Sequence, residues 1–472
     1  MRFPGIELDL GMLALCAVVC GCVETSFVEV KGDVDLRPEV QPWDRSTVDF
    51  LYCGDELRAE QLARANVYGG VHPSRYTKRL RSGGVEGLGE RKTIPKASLA
   101  DVSRHRLNLC SALLLKGDRD DAHRELTLVR DEIEQLFDPN QTAIQLTHAE
   151  REKYFKGDGY ERATMYAFLA LSFLEKADFR NALKCVKNGI LADTDSEKDE
   201  YRADYALLPY IGYIAAARAG ADWSTDAERY SRIVYDLTGF SPKSAATPDA
   251  LLLIWTGDGT TREKGGEYDE KRYVRKGSLS GCLDSAFVKT EADAFRSLPN
   301  MADFNFQAAT RGRRLMDDIL ESKAALKRGF AASGNILLSF GASCFVAAGT
   351  SGSPLLSIVF AGVGGVSVTL GCPTHLVGMM INAEADDRCW DALPGRILVI
   401  PVQFRDAARP PKSLHVEGLV GWDVLHEEDI AVDFGGREKG GIPVVHISAL
   451  RARNAICRNE ADKFRRDRKS VV

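Results

Sequence analysis

Thr256 to Tyr273, TGDGTTREKGGEYDEKRY, sets glycines among cations, the mixture from which an anion site can be made. Glycines there could turn backbone amides toward an anion, with Arg262 and Lys264 as counter-charges. The same composition describes a charged hairpin loop with no ligand at all. A second group, Asp386, Asp387, Arg388 and Trp390, offers a carboxylate pair for acid–base work. Adjacent carboxylates rarely converge on one substrate atom, so an ion pair at a helix end is the expected use. His375 follows Cys372 and Pro373, but one imidazole and one thiol do not complete a metal site; a buried, hydrogen-bonded histidine is expected. The chain contains no GxxxxGK[ST], HExxH or GxSxG and no strand-linked GxGxxG, which removes the commonest nucleotide, zinc-protease and esterase chemistries. The expectation is therefore no catalytic residue, no metal ligand and no cofactor.

The frame that must hold these residues has ordinary globular composition, with 44% apolar and 27% charged residues and a formal net charge of -5. A weak negative balance excludes a general nucleic-acid binder, which needs a concentrated basic field. The one basic cluster, KFRRDRK from Lys463 to Lys469, could touch anionic lipid or stand as a solvated chain end. A chain of 472 residues exceeds what one core usually serves, so two or three domains are expected.

Leu10 to Val19, LGMLALCAVV, is an apolar run too short to span a bilayer comfortably. Val19, Gly21 and Cys22 follow in the order that resembles a bacterial lipoprotein signal, which implies that Cys22 is the lipidated first residue of the mature chain. The leader departs from such signals in carrying Arg2 as its only base together with Glu7 and Asp9; the alternative is a buried N-terminal helix. Val23 to Asp44 then reads as a tether. The cysteines beyond the leader contain no CxxC pair, which argues against a zinc ribbon or redox dithiol. Cys110 and Cys185 read as small core residues, and a Cys372–Cys389 disulfide is open to an exported chain.

Between Ala97 and Leu237 the pattern is one of helices separated by short polar turns. The clearest unit is Glu161 to Thr194, in which Tyr166, Ala170, Phe173, Phe179 and Ala182 fall where a tetratricopeptide (TPR) hairpin needs small residues for close approach and large ones to fill the gap. Leu109, Cys110, Leu113 and Ala122 take corresponding places in an earlier unit, with Gly117 and Asp118 as its turn. The two turns lie further apart than the roughly 34 residues of a strict repeat, so an insertion separates them. Within it Glu150 to Arg162, EREKYFKGDGYER, is either a partner contact or an amphipathic helix closing on a turn at Lys156 to Gly159. A third pair is read from YALLPYIGYIAAARAG and TDAERYSRIVYDL, with Gly220 ending one helix and Thr225 capping the next. Stacked hairpins bury one continuous core and leave a concave face, which is a binding architecture.

EKYFKGDGYERATMYAFLAL, DEYRADYALLPYI, LLLIWTGDGTTREKGGEYDEKRY and ADDRCWDALPGRILVIPV occur in an order that resembles an uncharacterised family of bacterial TPR-like envelope lipoproteins, loosely from Leu51 to Gln403. The resemblance implies an anchored envelope protein with helical repeats and no known activity.

Gly329 to Ala383 contains no Asp, Glu, Lys or Arg and is rich in Gly, Ala, Ser and Val. It reads as an apolar hairpin with its turn at Ser351 to Pro354, suited either to a bilayer or to a protein interior. Strands are expected at Leu251 to Trp255, Arg396 to Phe404, Leu414 to Gly421 and Pro443 to Ser448, with a helix over Arg313 to Arg328. The expected class is α+β: a signal at 1–22, a tether at 23–50, a TPR-like helical domain at 51–240, a small mixed β domain at 250–328 and 384–450, the inserted hairpin at 329–383 and a charged tail at 451–472. The leading function is a non-enzymatic, lipid-anchored envelope scaffold that binds other proteins. A membrane-inserting component using 329–383 and an envelope hydrolase of unrecognised type are the alternatives, the last requiring a polar pocket that sequence does not supply.

Overall fold

The computed structural model describes residues 46–73, 76–79, 85–90, 93–135, 153–196, 199–244, 247–275, 282–290, 293–310, 384–404, 410–421, 423–432, 434 and 440–450, with isolated helical positions between 323 and 367. The signal with Cys22, most of the tether, most of the expected 313–328 helix and 329–383 hairpin, Cys372, His375 and the 451–472 tail lie outside the described residues. No described helix is long and apolar enough to cross a membrane.

The fold is mixed α+β. Among the described residues, eight helices before the first sheet arrive in consecutive pairs: α1 Thr47–Tyr52 and α2 Glu56–Tyr68, α3 Val102–Lys116 and α4 Arg119–Gln135, α5 Gly159–Glu175 and α6 Phe179–Asp193, α7 Leu207–Ala219 and α8 Ser224–Thr238; a short α9, Phe304–Thr310, follows later. Each packs on its neighbours in sequence, and the links inside the pairs are too short for anything but a reversal. Local chemistry sets the ends. Gly117, at φ 87°, closes α3 in the left-handed region where a side chain would be strained, and Asp178 opens α6 by accepting from the Asn181 amide at 3.2 Å. Gly220 ends α7 as expected, but a 3-10 turn at Ala221–Trp223 follows and Thr225 lies inside α8 instead of capping it. Lys153 to Asp158 is not helical: α5 begins at Gly159, and Asp158 is its N-cap.

Close approach between helices rests on small residues. Leu109, Cys110, Leu113, Ala122, Ala170 and Ala182 are fully buried, Tyr166 nearly so, and Phe173 and Phe179 lie half-buried at the edge of the same core. Two glycines mark the tightest contacts. A Cβ on Gly189 of α6 would stand 2.6 Å from Leu208 of α7, and one on Gly212 of α7 would meet the Tyr230 ring of α8 at 3.0 Å.

Strand β5, Ala250–Thr256, pairs antiparallel with β11, Arg396–Val402, from Ala250 opposite Val402 to Thr256 opposite Arg396. Its other edge takes β14, Val444–Ser448, in parallel, and β10, Ala302–Asp303, completes the order β10-β11-β5-β14. A second antiparallel sheet has β8 Ser285–Lys289, β9 Ala294–Arg296, β12 Ser413–Val420 and β13 Asp423–Ala431 in the order β13-β12-β8-β9. The four expected strands are β5, β11, β12 and β14, each within two residues of its expected bounds.

Alternation along β5 explains its place. Leu251, Leu253 and Trp255 join the helical core together with Ile397, Val399 and Val444, while Ala250, Leu252 and Ile254 face Leu283, Ala286, Val288, Leu414 and Val416 of the second sheet. A strand buried on both faces is a near-continuous apolar run, as ALLLIW is, and the buried Thr256 that ends it accepts from the Leu283 amide at 2.9 Å. One apolar cluster therefore crosses the boundary expected between 240 and 250, and helices, first sheet and second sheet form three successive layers. The face that α3 and α5 turn inward is filled by this chain's own sheet: Phe168 stacks on Trp255 with ring centroids 5.5 Å apart, and Trp390 and His446 abut Phe168 edge-on.

Trp255 Nε1 donates to His446 Nδ1 at 3.0 Å, and burial in this aromatic nest pushes the imidazole down to about 3, with the Arg119 charge adding to the effect. At the end of α5, Glu175 accepts from the Val444 amide at 2.9 Å and lies 3.2 Å from Arg119, clipping β14 to the helices. Burial raises the Glu175 carboxyl to about 7 in spite of Arg119.

Two outcomes are expected. Gly189→Val should cost about 1–3 kcal/mol by forcing α6 from α7, read as a lower urea midpoint with an unchanged m-value. As pH falls from 6.5 the unfolded state takes up the proton that folded His446 refuses, so stability is lost down to about 3. Glu175 acts oppositely: its folded form binds a proton between about 7 and the usual 4.5, so stability is gained there. The two effects offset one another between 6.5 and 4.5, and Glu175→Gln removes the offset. That variant should fall by about 2 kcal/mol between pH 7 and pH 5 while the parent changes far less. Parallel stability–pH curves for the two proteins would refute the opposition.

Candidate binding cleft

The first turn of α5 organises what surrounds it. Asp158 and Glu161 form a reciprocal capping box, in which Glu161 Oε2 accepts from the Asp158 amide at 2.7 Å. Both side chains are buried, and both are answered by arginines from the hairpin of β6, Thr261–Gly265, and β7, Lys271–Arg275. Arg262 Nη2 lies 2.8 Å from Asp158 Oδ2 and 3.0 Å from Glu161 Oε1, and Arg272 Nη1 contacts both Asp158 oxygens at 2.8 and 2.9 Å. Two anions and two cations cancel inside the protein, and the carboxylates hold the Arg262 guanidinium protonated against its burial. Tyr160 OH sits 3.2 Å from Thr260 Oγ1, and burial raises its phenol far above the usual range.

The stretch from Asp386 to Leu393 is the plug that this network grips. Arg388 donates Nε and Nη2 to the two oxygens of Asp386 at 2.8 and 2.9 Å, and Nη1 to the Ala100 carbonyl at 2.8 Å. It also reaches the Lys153 carbonyl at 2.9 Å and the Arg262 guanidinium through its own carbonyl. Trp390 donates its amide to Glu161 Oε1 at 2.7 Å and its indole N–H to Ser111 Oγ at 3.0 Å. The Ala392 amide donates to Asn108 Oδ1 at 3.1 Å. Gly259 passes so close to the Leu393 carbonyl that no side chain fits there.

These contacts place Asp391 at the wall of a cleft of about 750 Å³, bounded by α1, α2, α3, the β1 Gly70–Val71 and β4 Thr93–Ile94 pair, and the turn at Asp258 to Thr261. Asp391 Oδ2 accepts from Arg104 Nη1 at 3.2 Å and from Asn108 Nδ2 at 3.3 Å, and Oδ1 takes the Cys389 thiol at 3.3 Å. Tyr52 accepts from the Gly259 amide at 3.1 Å, and burial pushes its phenol up to about 12. Burial and then the Arg104 charge lower the His105 imidazole below the usual 6.5, so it is neutral at pH 7. The cleft is thus equipped for hydrogen bonding. Cys110, Cys185, Cys282 and Cys389 are buried free thiols, each raised by burial, and none is a thiolate nucleophile at neutral pH.

Of the two readings of Thr256 to Tyr273, an anion loop and a charged hairpin, the structure shows the hairpin, with its cations paired inside the protein. Arg262 turns inward onto Asp158 and Glu161, and Lys264 pairs with Glu384 and, at 3.4 Å, with Asp387. The carboxylates consume both charges. Asp386 and Asp387 part company, one to Arg388 and one to Lys264, so no acid–base pair forms; the ion pair seats at the start of α3, through Ala100 and its N-cap Asp101. Cys389 is free, which removes the Cys372–Cys389 disulfide, whereas Cys53 is disulfide-bonded. The capping box was legible as D-x-x-E in DGYE; Asp391, Arg104, His105 and Tyr52 carried no local signal.

No family model matches the sequence, and neither curated proteins nor solved structures offer a match.

Arg262→Ala should destabilise the protein by about 3–5 kcal/mol, since it leaves Glu161 buried against a half-compensated Asp158. Urea unfolding checks this; a loss below about 1 kcal/mol would mean that water or Arg272 takes over the pairing.

Proposed function

We propose that this chain is a lipid-anchored bacterial envelope protein that acts without catalysis, as a scaffold whose helical hairpins bind another protein. The observation that carries the reading is the serial stacking of α3–α4, α5–α6 and α7–α8 on one core, the arrangement that lets a helical array present a continuous surface. TPR-like character of these hairpins, and an inserted Gly-rich apolar hairpin at 329–383 as a second membrane contact, belong to the same proposal.

The sheet occupies the inward face, so the partner surface is assigned to the second helix of each pair. There burial is one-sided, and Leu128 of α4, Leu191 of α6 and Tyr235 of α8 are exposed, Leu191 at 71% and Tyr235 at 56%. Cys22 supplies the anchor in this reading, and anchoring by one diacylated residue is consistent with the lack of a spanning helix among the described residues.

Fatty-acid labelling of the parent but not of Cys22→Ala is the expected result for the anchor, and equal labelling of both would overturn it. Photo-crosslinking residues placed at Leu191 and Tyr235 should each give the same discrete adduct in intact envelopes. Absence of any adduct from both sites, with the protein folded and anchored, would overturn the scaffold.

A further inference from the structure

We propose that the cleft between α1, α3 and the Asp258 to Thr261 turn binds a neutral, polyhydroxylated small molecule, a sugar or polyol, independently of any protein held by the hairpins. Its volume of about 750 Å³ lies within the range of small-molecule sites and accommodates a disaccharide.

Charge balance selects the class. At the wall Arg104 is already held by Asp391 at 3.2 Å, so the two form a neutral pair. An anionic ligand would have to compete with Asp391 for that guanidinium. A cationic ligand would meet that guanidinium and displace its partner. A hydroxyl group, which donates and accepts at once, suits every group present. Asp391, whose side chain is 36% exposed, accepts; the Tyr52 hydroxyl, having accepted from Gly259, keeps its proton to donate. His105 offers one donor and one acceptor, and its imidazole has no hydrogen-bond partner among the described residues. Leu62 and Ile94 provide apolar wall against which the C–H face of a sugar ring can lie.

The plug makes these positions rigid before any ligand arrives. Asp391 is fixed by Trp390 and Ala392 on either side, each bonded through its backbone to a buried side chain. A preformed polar wall reduces the ordering cost of binding.

The test is isothermal titration of the full chain with trehalose, sucrose and maltose, beside glucose 6-phosphate and spermidine as charged comparators. At least one neutral disaccharide should bind saturably, with both charged compounds weaker by about tenfold or more. Thr261→Trp, an exposed rim position, should abolish that binding while leaving the thermal midpoint in place, and His105→Ala should weaken it by about tenfold. No saturable binding by any neutral probe up to roughly 10 mM overturns the proposal. So does tighter binding of either charged compound, or full retention of binding by Thr261→Trp. Should His105→Ala fail to fold, Thr261→Trp decides the matter alone. None of these outcomes depends on whether Leu191 and Tyr235 crosslink a partner.

Discussion

Two carboxylates buried within one helical turn cannot stay ionised unless cations are brought to them, and the centre of this protein is arranged around that requirement. Asp158 and Glu161 start α5; Arg262 and Arg272 come from a hairpin about a hundred residues later and neutralise them. The Glu161 Oε1 that meets Arg262 also accepts from the Trp390 amide, and the Asp386 to Leu393 segment is fixed. Helix start, β6–β7 hairpin and plug thus depend on one another through four charges that sum to zero. A hydrophobic replacement of the same volume could be as stable, but it would have nothing with which to hold the backbone of the plug.

The sheet depends on the helices in a different way. β5 has no solvent face, so it needs a layer on each side, and the helical hairpins supply one while the second sheet supplies the other. Phe168 is the point where the layers meet, stacked on Trp255 and touched edge-on by Trp390 and His446. An imidazole in such a place is tolerated because Trp255 gives it one hydrogen bond and because it stays neutral. The Glu175 carboxyl, at the end of α5 and bonded to the Val444 amide of the His446 strand, has the opposite preference for protons. Stability near neutral pH is therefore balanced by two buried groups whose titrations oppose.

Periodicity made the layers legible. LLLIW and RILVIPVQF are apolar runs with β-branched residues and become β5 and β11; Ala170 and Ala182 mark a helix contact because only small residues let two backbones approach. Helix starts were partly legible: the D-x-x-E spacing of Asp158 and Glu161 is that of a capping box, but the turn expected at Lys156 to Gly159 did not reveal that both side chains are buried. The β6–β7 cations left two readings open for a physical reason, since a row of Arg and Lys beside glycines does not reveal whether its counter-ion is a ligand or a distant carboxylate. Arg262 finds its partners across 101 and 104 positions of chain, and Asp391 meets Arg104 across 287. Contacts of that span leave no periodic trace.

Where stacked helix pairs are covered on their inner side by the same chain's sheet, the proposed binding falls to the outer helices. In a free-standing solenoid the inner helices line the groove and remain half exposed; here α5 is buried almost around its whole circumference, and α7 through nearly all of its length. Their outer partners α4, α6 and α8 keep a polar face with apolar side chains set in it. Filling the groove makes those outer faces rigid, because each is backed by a hairpin that is itself backed by the sheet. It also creates the cleft, since the plug that closes the groove at Trp390 must turn back at Asp391, and the turn carries a carboxylate to the edge of the helices. The polar cleft and the covered inner face of the described helices are two consequences of one chain segment, Asp386 to Leu393, folding against them.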